Sequence, residues 1–422
     1  MCFERVKYTR MNQKMNNKLS TEPYRGVRDF YPADMAVQRF IFDTWAKVAE
    51  SYGFERYDAS VLEPAELYRA KTGEEIVNEQ TYTFTDRGGR EVTLRPEMTP
   101  TVARMVAAKR RELVFPLRWY SIPNLFRYER TQRGRLREHW QLNADIFGVD
   151  NAAEDAEIIA LAHSIMLAFG ATENDFVICI NDRQMLNAYF ERLGLSTEQT
   201  HAMYKLLDRK DKITTFAKEA SEIMGRPFQE GELTTLNSER LDACFKMLGI
   251  LNISAQFKPS VVRGFDYYDG IVFEIFDTAP ENNRSLFGGG RYNNLTALFG
   301  GEPIPAVGFG MGDVTMRDFL ETHELLPQIA TCSRVALLCA SPKCATEALK
   351  IREEIRSHGI SATLDFSGRK LADQLANAAK CGAPYTLIVG EKELAGGTFT
   401  LRDMATGEET RGTIAELTAR VR

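Results

Sequence analysis

Residues 126–148, FRYERTQRGRLREHWQLNADIFG, are the stretch on which the fold prediction depends. Both ends are strand-like, and the basic segment between them contains a single glycine and five arginines: Arg127, Arg130, Arg133, Arg135 and Arg137. The flanking strands are predicted at 118–126 and 140–147. A connection of this kind joins antiparallel neighbours, because a parallel pair needs a longer crossover, usually a helix.

The segments before this loop are consistent with the same architecture. Apolar residues recur at steps of three and four over 37–52, which predicts an amphipathic helix that ends at Gly53. Residues 54–62 lead into Glu63-Pro64, and further strands are predicted at 80–84 and 92–94. No regular βαβ alternation precedes residue 330, so we predict an α+β fold with an antiparallel sheet and flanking helices.

The remainder of the chain divides into segments of different character. Residues 1–20 are polar and predict a flexible extension, and residues 21–328 predict the main domain. Within that domain, residues from about 196 to 251 are charged and helical in period, which indicates a helical insertion. A linker is expected at 325–333. Short strands then alternate with helices, which predicts a small α/β domain with a largely parallel sheet over 333–422.

Composition narrows the classes of function. The chain has 422 residues, a net charge of −5 and 44% apolar residues. It has no apolar run of 18 residues, so we expect no membrane-spanning helix and a cytoplasmic protein. Its seven cysteines and five histidines lack metal-ligand spacing, so no protein-bound metal site is expected.

The arginine-rich loop is open to two interpretations. Guanidinium groups present rigid forks of donors that match phosphate oxygens, so five on one loop indicate a polyanionic ligand. The alternative is a solvated hairpin tip that also carries Glu129 and Glu138.

Two further motifs carry candidate ligand contacts. In Leu94-Arg95-Pro96-Glu97-Met98-Thr99, Glu97 and Thr99 suit a cationic amino group, although Thr99 and Pro100 also fit an ordinary helix start. In VVRGFDYYDGIVFEIF, residues 261–276, Arg263 and two tyrosines flank a strand, and Gly288-Gly289-Gly290 follows. Three glycines allow close approach to a ligand, or they form a flexible turn.

These motifs occur together, in order, at spacings that resemble histidyl-tRNA synthetases over nearly the whole chain. YRGVRDFYP at 24–32 resembles the opening segment of the family. The helix and strand that end at Pro64 resemble class II motif 1, which builds a dimer interface, and FRYER with its loop resembles motif 2. VRGFDYYDGIVFE and GGGRY are similar to the two histidine-specific motifs. The last domain resembles the family's anticodon-binding domain, including residues 403–407.

The resemblance implies a role for each matching residue. Arg127 and Arg263 would be catalytic and would contact the α-phosphate of ATP, with Glu129 as a further ATP-binding residue. Asp145 and Tyr268 would hold the imidazole ring. The implied histidine-binding residues are Glu97, Met98, Thr99, Gln141, Asp145, Tyr267 and Tyr268.

Two positions depart from the family pattern. Asp145 stands where the family has Glu, so its carboxylate is one methylene shorter. In PAVGFGMGDVTM, residues 305–316, Val314-Thr315 replaces the Glu-Arg pair of motif 3. The usual ATP-clamping arginine is therefore missing, and Arg317 is expected to point away from the nucleotide because two helical residues turn a side chain by about 200°.

The resemblance implies a histidine–tRNA ligase that uses ATP and Mg²⁺, acts on histidine and histidine tRNA, and is a homodimer. The first alternative is a catalytically silent regulatory subunit of ATP phosphoribosyltransferase, which motif 3 favours. Against it stand Arg127, Arg263 and the C-terminal domain. A tRNA-binding sensor module would need an effector domain that this sequence does not contain.

Overall fold

The computed structural model describes residues 19–69, 80–229, 231–263, 267–282, 284–327 and 333–421. Most of the expected extension at 1–20, most of the linker at 325–333 and residues 264–266 of the VRGFDYYDG motif therefore lie outside the described residues. No helix in these ranges is long and apolar enough to cross a bilayer.

The helices and strands of the described ranges are as follows. The helices are α1 (Pro32–Ser51), α2 (Glu66–Arg69), α3 (Thr99–Lys109), α4 (Ala152–Ala168), α5 (Arg183–Arg192), α6 (Thr197–Asp208), α7 (Phe216–Met224), α8 (Glu239–Ile250), α9 (Asp313–Thr322), α10 (Ala345–Ser357), α11 (Leu371–Lys380), α12 (Glu391–Gly396) and α13 (Ile414–Val421). The strands are β1 (Glu55–Arg56), β2 (Leu62–Pro64), β3 (Tyr82–Thr85), β4 (Glu91–Leu94), β5 (Leu117–Ser121), β6 (Asn124–Phe126), β7 (Glu138–Phe147), β8 (Phe176–Asp182), β9 (Gln256–Phe257), β10 (Ile271–Asp277), β11 (Ser285–Arg291), β12 (Ala306–Gly312), β13 (Val335–Cys339), β14 (Ala362–Leu364), β15 (Tyr385–Val389), β16 (Phe399–Asp403) and β17 (Glu409–Gly412).

A large sheet forms the centre of the main domain. Its order is β1-β5-β7-β12-β11-β10-β8-β9, and β6 pairs with β7 beside β5. β1 runs parallel to β5 and β8 runs parallel to β9, while the other pairs are antiparallel. The predicted antiparallel sheet with flanking helices is confirmed, with a parallel strand added near each edge.

The two faces of the sheet differ because strand side chains alternate. Leu142, Ala144 and Ile146 of β7 point into a core that α1, α4, α8 and α9 cover. The register places Gly308 beside Asp145 and Gly310 beside Asn143, on the opposite face. One face is therefore filled by helices, and the other has polar residues on β7 and glycines on β12.

Helix α1 shows how the sequence determines this arrangement. Pro32 suits the first turn, where its missing N–H is not needed. Gln38, Ile41, Trp45 and Ala49 recur at steps of three and four and are all buried. The chain leaves the helix through Gly53, which has a φ of +78°.

The strands predicted at 80–84 and 92–94 exist, but they lie outside the large sheet. β3 and β4 pair with each other and with β2 in a separate three-stranded sheet. The glycine triplet is not a flexible turn, because it lies inside β11. Thr99 is also not the helix cap, since Met98 holds the N-cap position and makes no side-chain cap bond.

The region predicted as a helical insertion contains α6, α7 and α8. Helices α6 and α7 share an apolar cluster with α5, Leu233 and Val262. Helix α8 instead buries Leu241, Cys244 and Leu248 in the main core. The separate helical unit is therefore built from α5 to α7.

The C-terminal unit has a five-stranded sheet in the order β14-β13-β15-β16-β17. β13 runs parallel to both β14 and β15, as predicted, but β16 and β17 form an antiparallel hairpin at one edge. Helices α10 and α13 pack on one face, while the core of the other face contains Ala378 and Leu375 of α11. The small α/β fold is confirmed, with a sheet that is only partly parallel.

A buried ion network ties the large sheet to its helices. Arg291, at the end of β11, is fully buried, and its Nε lies 2.7 Å from Oδ1 of Asp155 in α4. Arg240 of α8 places its Nε 2.7 Å from the other oxygen of Asp155. Arg291 also donates to the carbonyl oxygen of Val149 at 2.9 Å. One carboxylate therefore joins three elements.

We expect Arg291→Leu to lower the free energy of unfolding by about 3–5 kcal/mol, because it removes one partner of a buried charge pair. The measurement is urea unfolding followed by tryptophan fluorescence. All three tryptophans, Trp45, Trp119 and Trp140, lie in the main domain. The exposed Lys109–Glu112 pair provides the control, since Lys109→Ala should change stability by less than about 0.5 kcal/mol. Equal effects of the two substitutions would contradict this role.

Candidate active site

The open face of the large sheet has a floor of glycine. A methyl group at Gly308 would collide with the Asp145 carboxylate, and one at Gly310 would collide with the Gln141 amide. At Gly290 it would lie 2.6 Å from the carbonyl oxygen of Ile271. Side chains on β7 can lie flat across β12 only because glycine occupies these positions.

Asp145 lies at one end of this floor. It is 2% exposed, and Oδ1 accepts a 2.5 Å hydrogen bond from the hydroxyl of Tyr292. Oδ2 is buried and has no hydrogen-bond partner. Burial raises the pKa of Asp145 to about 7, and the bond from Tyr292 opposes the rise. A buried carboxylate oxygen without a partner is costly, so it indicates a site for a ligand that donates a hydrogen bond.

The paired tyrosines lie beside this carboxylate. Tyr267 and Tyr268 are both buried, with ring centroids 4.7 Å apart, and both rings contact Tyr292. The Tyr267 hydroxyl donates to Oε2 of Glu97 at 2.9 Å. The structure therefore links two sequence motifs that lie about 170 residues apart.

The other predicted histidine contacts cluster around Glu97. Glu97 is 3% exposed, and Met98 is fully buried at the start of α3. Thr99 is partly buried and interacts with the Tyr267 hydroxyl. Gln141 lies over Gly310, four residues along β7 from Asp145 and on the same face.

Arg127 lies between this cluster and the arginine-rich loop. Its Nε donates to the carbonyl oxygen of Pro96 at 2.8 Å, next to Glu97. The Glu129 carboxylate lies 4.0 Å from Arg127 and 3.7 Å from Arg135. The loop is held from outside by Arg133, whose Nε donates to Asp318 of α9 at 2.8 Å.

Arg263 enters the site from a strained backbone position. Its φ is +60°, a conformation that non-glycine residues rarely adopt. The guanidinium donates to Glu274 at 2.7 Å and to the carbonyl oxygen of Gly288 at 3.3 Å. Burial is the largest single influence and lowers the pKa of Arg263, but Glu274, Tyr268 and Tyr267 together outweigh it, so the net direction is upward. A fixed cation therefore lies over the glycine-lined strand.

The segment that resembles motif 3 lacks the usual arginine, and its Asp313 has a structural role. Asp313 is fully buried and accepts hydrogen bonds from Arg28, Gln38 and the backbone N–H of Trp140 at 2.7–2.9 Å. Arg317 pairs with Glu321 at 2.8 Å and with Asp34 of α1 at 3.2 Å. Arg317 therefore forms ion pairs with carboxylates of two helices, α1 and α9.

Sequence reasoning missed three side chains of this site: Tyr292, Glu274 and Tyr57. Tyr292 belongs to the GGGRY motif, and Glu274 belongs to the strand after Arg263. Both could have been found by asking which neighbours must hold a buried Asp and a buried Arg. Tyr57 lies in the segment that resembles motif 1, to which the resemblance assigned a dimer interface and no ligand contact.

The site combines two chemical capacities on one face. The Asp145 end can accept a hydrogen bond from a ring, and Glu97 can accept from a cationic group. Arg127 and Arg263 provide fixed positive charge suited to a phosphoryl group. Such a site can bring an amino acid carboxylate against a phosphate.

Comparisons with known proteins agree with this geometry. A family model described as histidyl-tRNA synthetase matches residues 26–223 and 214–313, and one described as anticodon binding domain matches residues 334–422. The chain is 44% identical to a histidine–tRNA ligase of Leptospira biflexa, over 96% of this chain and 98% of that protein. It is 39% identical to one from Thermoplasma volcanium, over 94% and 98%. The crystal structure of histidyl-tRNA synthetase from Nostoc sp. PCC 7120 shares the fold, with a TM-score of 0.82 at 22% identity, over 96% of this chain and 99% of that chain.

The sheet, its glycine floor and the separate α/β unit define an aminoacyl-tRNA synthetase of the class II type. The two family matches and the near full-length relatives at 39–44% identity narrow this class further. The chain belongs to the histidyl-tRNA synthetase family.

The raised pKa of Asp145 has a consequence for stability. Its pKa is about 7 in the folded protein, against about 3.9 in an unfolded chain, so between these values the folded state binds the proton more tightly. The stability of the wild-type protein therefore falls as pH rises through this window.

We expect Asp145→Asn, which has no carboxyl proton to lose, to gain about 2–3 kcal/mol relative to wild type between pH 5 and pH 8. Urea unfolding of both proteins at the two pH values measures the difference. A difference that does not change with pH would show that Asp145 titrates normally.

Proposed function

We propose that this protein activates histidine with ATP and transfers the histidyl group to histidine tRNA. The observation that carries the proposal is the placement on one face of a buried Asp145–Tyr292 pocket and two arginines. Family membership supports the same reaction.

In the proposed first step, a carboxylate oxygen of histidine attacks the α-phosphate of ATP. The bond from that phosphorus to the bridging oxygen breaks, pyrophosphate leaves, and histidyl-adenylate forms. In the second step, a hydroxyl of the terminal ribose of the tRNA attacks the acyl carbon and AMP leaves. Both steps move negative charge that preplaced cations stabilise.

The residues divide this work. Glu97, Thr99 and Gln141 hold the amino end of histidine, with Met98 as their buried support, and Tyr267 fixes Glu97 through its hydroxyl. Asp145 and Tyr268 hold the ring. A site with buried polar groups rejects ligands that cannot pair with them, which gives selectivity for histidine over apolar side chains of similar shape.

Arg127 and Arg263 bind the α-phosphate from two sides, and Glu129 is the further ATP-binding residue. Mg²⁺ would accompany ATP, where it would supply positive charge to the phosphates. Among the residues described, no group of three or more His, Cys, Asp or Glu could hold a metal ion. Mg²⁺ usually takes one or two carboxylates together with substrate phosphates. Glu129 would supply such a carboxylate: its Oε2 is buried without a hydrogen bond, and its nearest cation is the Arg135 guanidinium at 3.7 Å.

Motif 3 bears on ATP affinity. Val314 and Arg317 line a cavity of about 220 Å³ together with Arg28 and Gly134. Arg317 is paired with two carboxylates, so ATP is held mainly by the motif 2 arginines and Mg²⁺. The affinity for ATP is then weaker than a motif 3 arginine would provide.

The proposed domains are a catalytic domain at 21–328, which carries the helical unit α5 to α7, and an anticodon-binding domain at 333–422. The match of residues 334–422 to an anticodon binding domain supports the second. We further propose a cytoplasmic homodimer, in which α1 and the strand that ends at Pro64 contribute to the interface.

We expect Arg127→Ala and Arg263→Ala each to reduce histidine-dependent ATP–pyrophosphate exchange at least about a hundredfold, because each removes one preorganised charge. Arg192→Ala, on α5 of the helical unit, is the matched control and should keep wild-type exchange. Near-normal exchange by either variant would remove that arginine from the mechanism. No exchange in the unmodified protein would favour the silent regulatory subunit.

We propose that an exposed aromatic residue, Phe366, belongs to a tRNA-binding surface on the C-terminal unit. Phe366 follows β14 and is 63% exposed. The guanidinium carbon of Arg352 lies 5.8 Å from its ring centroid, and the exposed Arg369 and Lys370 follow in the same loop. Aromatic rings beside cations are a usual platform for unpaired bases.

We expect Phe366→Ala to raise the KM for histidine tRNA in aminoacylation about tenfold, because stacking on one base contributes about 1–3 kcal/mol. Exchange without tRNA should not change, and Phe366→Tyr should retain the wild-type KM. An unchanged KM for Phe366→Ala would exclude Phe366 from the tRNA contact.

A further inference from the structure

Three buried polar atoms without hydrogen-bond partners come from the same corner of the large sheet. They are Oδ2 of Asp145, the hydroxyl of Tyr57 and the hydroxyl of Ser121. Ser121 and Asp145 are 0% and 2% exposed. A single unpaired buried group is costly, and three close together indicate that something polar binds between them.

The strand register places all three on the open face. Trp119 lies opposite Asp145, and Ser121 lies opposite Asn143. Residue 57 follows β1, and its backbone N–H donates to the carbonyl oxygen of Tyr120 at 2.9 Å. The ring of Tyr57 packs on Trp119 with centroids 5.6 Å apart. Tyr57 therefore lies on the far side of β5 from Asp145, with one strand between them.

The pKa shifts of Tyr57 and Tyr292 also indicate that Tyr57 lies close to Asp145. Burial is the largest cause of the raised pKa of Tyr57, and the Asp145 carboxylate is the second. The Ser121 hydroxyl lowers the pKa of Tyr57, although the two hydroxyls do not meet hydrogen-bond geometry. Tyr57 also raises the pKa of Tyr292, which holds the other oxygen of Asp145. Two phenols thus flank one carboxylate, and only Tyr292 is bonded to it.

We propose that Tyr57 is a specificity-determining residue for the side chain of histidine. In the complex, its hydroxyl and Oδ2 of Asp145 form the polar end of the pocket and both pair with the ring. The hydroxyl fills the space into which a carboxylate one methylene longer would extend. This inference rests on the proposed function, because it takes histidine as the ligand.

The experiment is histidine-dependent ATP–pyrophosphate exchange by the full-length protein. Tyr57→Phe removes only the hydroxyl and keeps the packing on Trp119. The KM for histidine should rise roughly tenfold, as for loss of one hydrogen bond in a buried site, while kcat and the KM for ATP change less than about twofold.

Tyr120→Phe is the matched control. Tyr120 is on the same strand as Ser121 but on the opposite face, where its hydroxyl donates to Glu50 at 2.7 Å. Its removal should leave the KM for histidine within about twofold of wild type. Urea unfolding of both variants separates a loss of stability from a loss of recognition.

A reciprocal pair of substitutions tests the shared space. Asp145→Glu should weaken histidine binding in the wild-type background, because the longer carboxylate collides with the Tyr57 hydroxyl. In the Tyr57→Phe background that space is free, so the double variant should recover the KM for histidine at least about fivefold relative to Asp145→Glu alone. A merely structural role for Tyr57 would not produce this recovery.

The outcomes separate the two proposals. If the wild-type protein exchanges pyrophosphate but Tyr57→Phe keeps the wild-type KM for histidine, or the double variant does not recover, the role of Tyr57 is wrong. If the wild-type protein shows no exchange, the proposed function fails instead. Calorimetric titration of wild type and Tyr57→Phe with histidine then tests the pocket alone, and equal affinities or no binding would overturn it.

Discussion

The site depends on one steric constraint: β12 and its neighbour β11 have glycines on the open face at the positions over which Asp145 and Gln141 lie. Gly308 and Gly310 lie directly beneath these two residues, and any side chain at either position would displace them. The opposite face of β12 carries Val307, Phe309 and Met311, which pack against the helices. The same strand therefore builds a core on one side and a ligand floor on the other, because strand side chains alternate.

The strained backbone of Arg263 also helps to shape the open face of the sheet. A positive φ costs roughly 1–3 kcal/mol at a non-glycine residue, and the surroundings must compensate. The bonds to Glu274 and to the carbonyl oxygen of Gly288 do so, and they fix the guanidinium above the strand that contains the glycine triplet. A cation held in this way loses little freedom when a phosphate binds, which favours its use in electrostatic stabilisation.

Much of the fold could be predicted from the sequence where a pattern is local. The strands on either side of the arginine loop, the helix at 37–52 and the small α/β unit all follow from periodicity over a few residues. Pairing between distant segments could not be predicted, because it depends on register and not on local pattern. This is why β3 and β4 were expected in the large sheet, and why α8 was assigned to the insertion.

The same limit applies to the site. The motifs identified Asp145, Arg127 and Arg263, but their partners Tyr292 and Glu274 become visible only when strands are aligned. Tyr57 is the clearest example, because its proposed role depends on the Asp145 carboxylate, which lies 88 positions away in the chain. The structure also reassigns Asp313, which lies in the motif expected to clamp ATP but holds three distant elements together.

The unpaired oxygen of Asp145 explains how such a site can be selective. Keeping a carboxylate in this pocket destabilises the unliganded protein, as its raised pKa shows. A ligand that donates a hydrogen bond removes that cost, whereas an apolar ring of the same shape would bury the oxygen permanently without a partner. Discrimination between the two ligands therefore includes the full penalty of an unsatisfied buried group, which exceeds the net value of an ordinary hydrogen bond. The cost of burying this oxygen and the selectivity for a ligand that donates to it have the same physical origin.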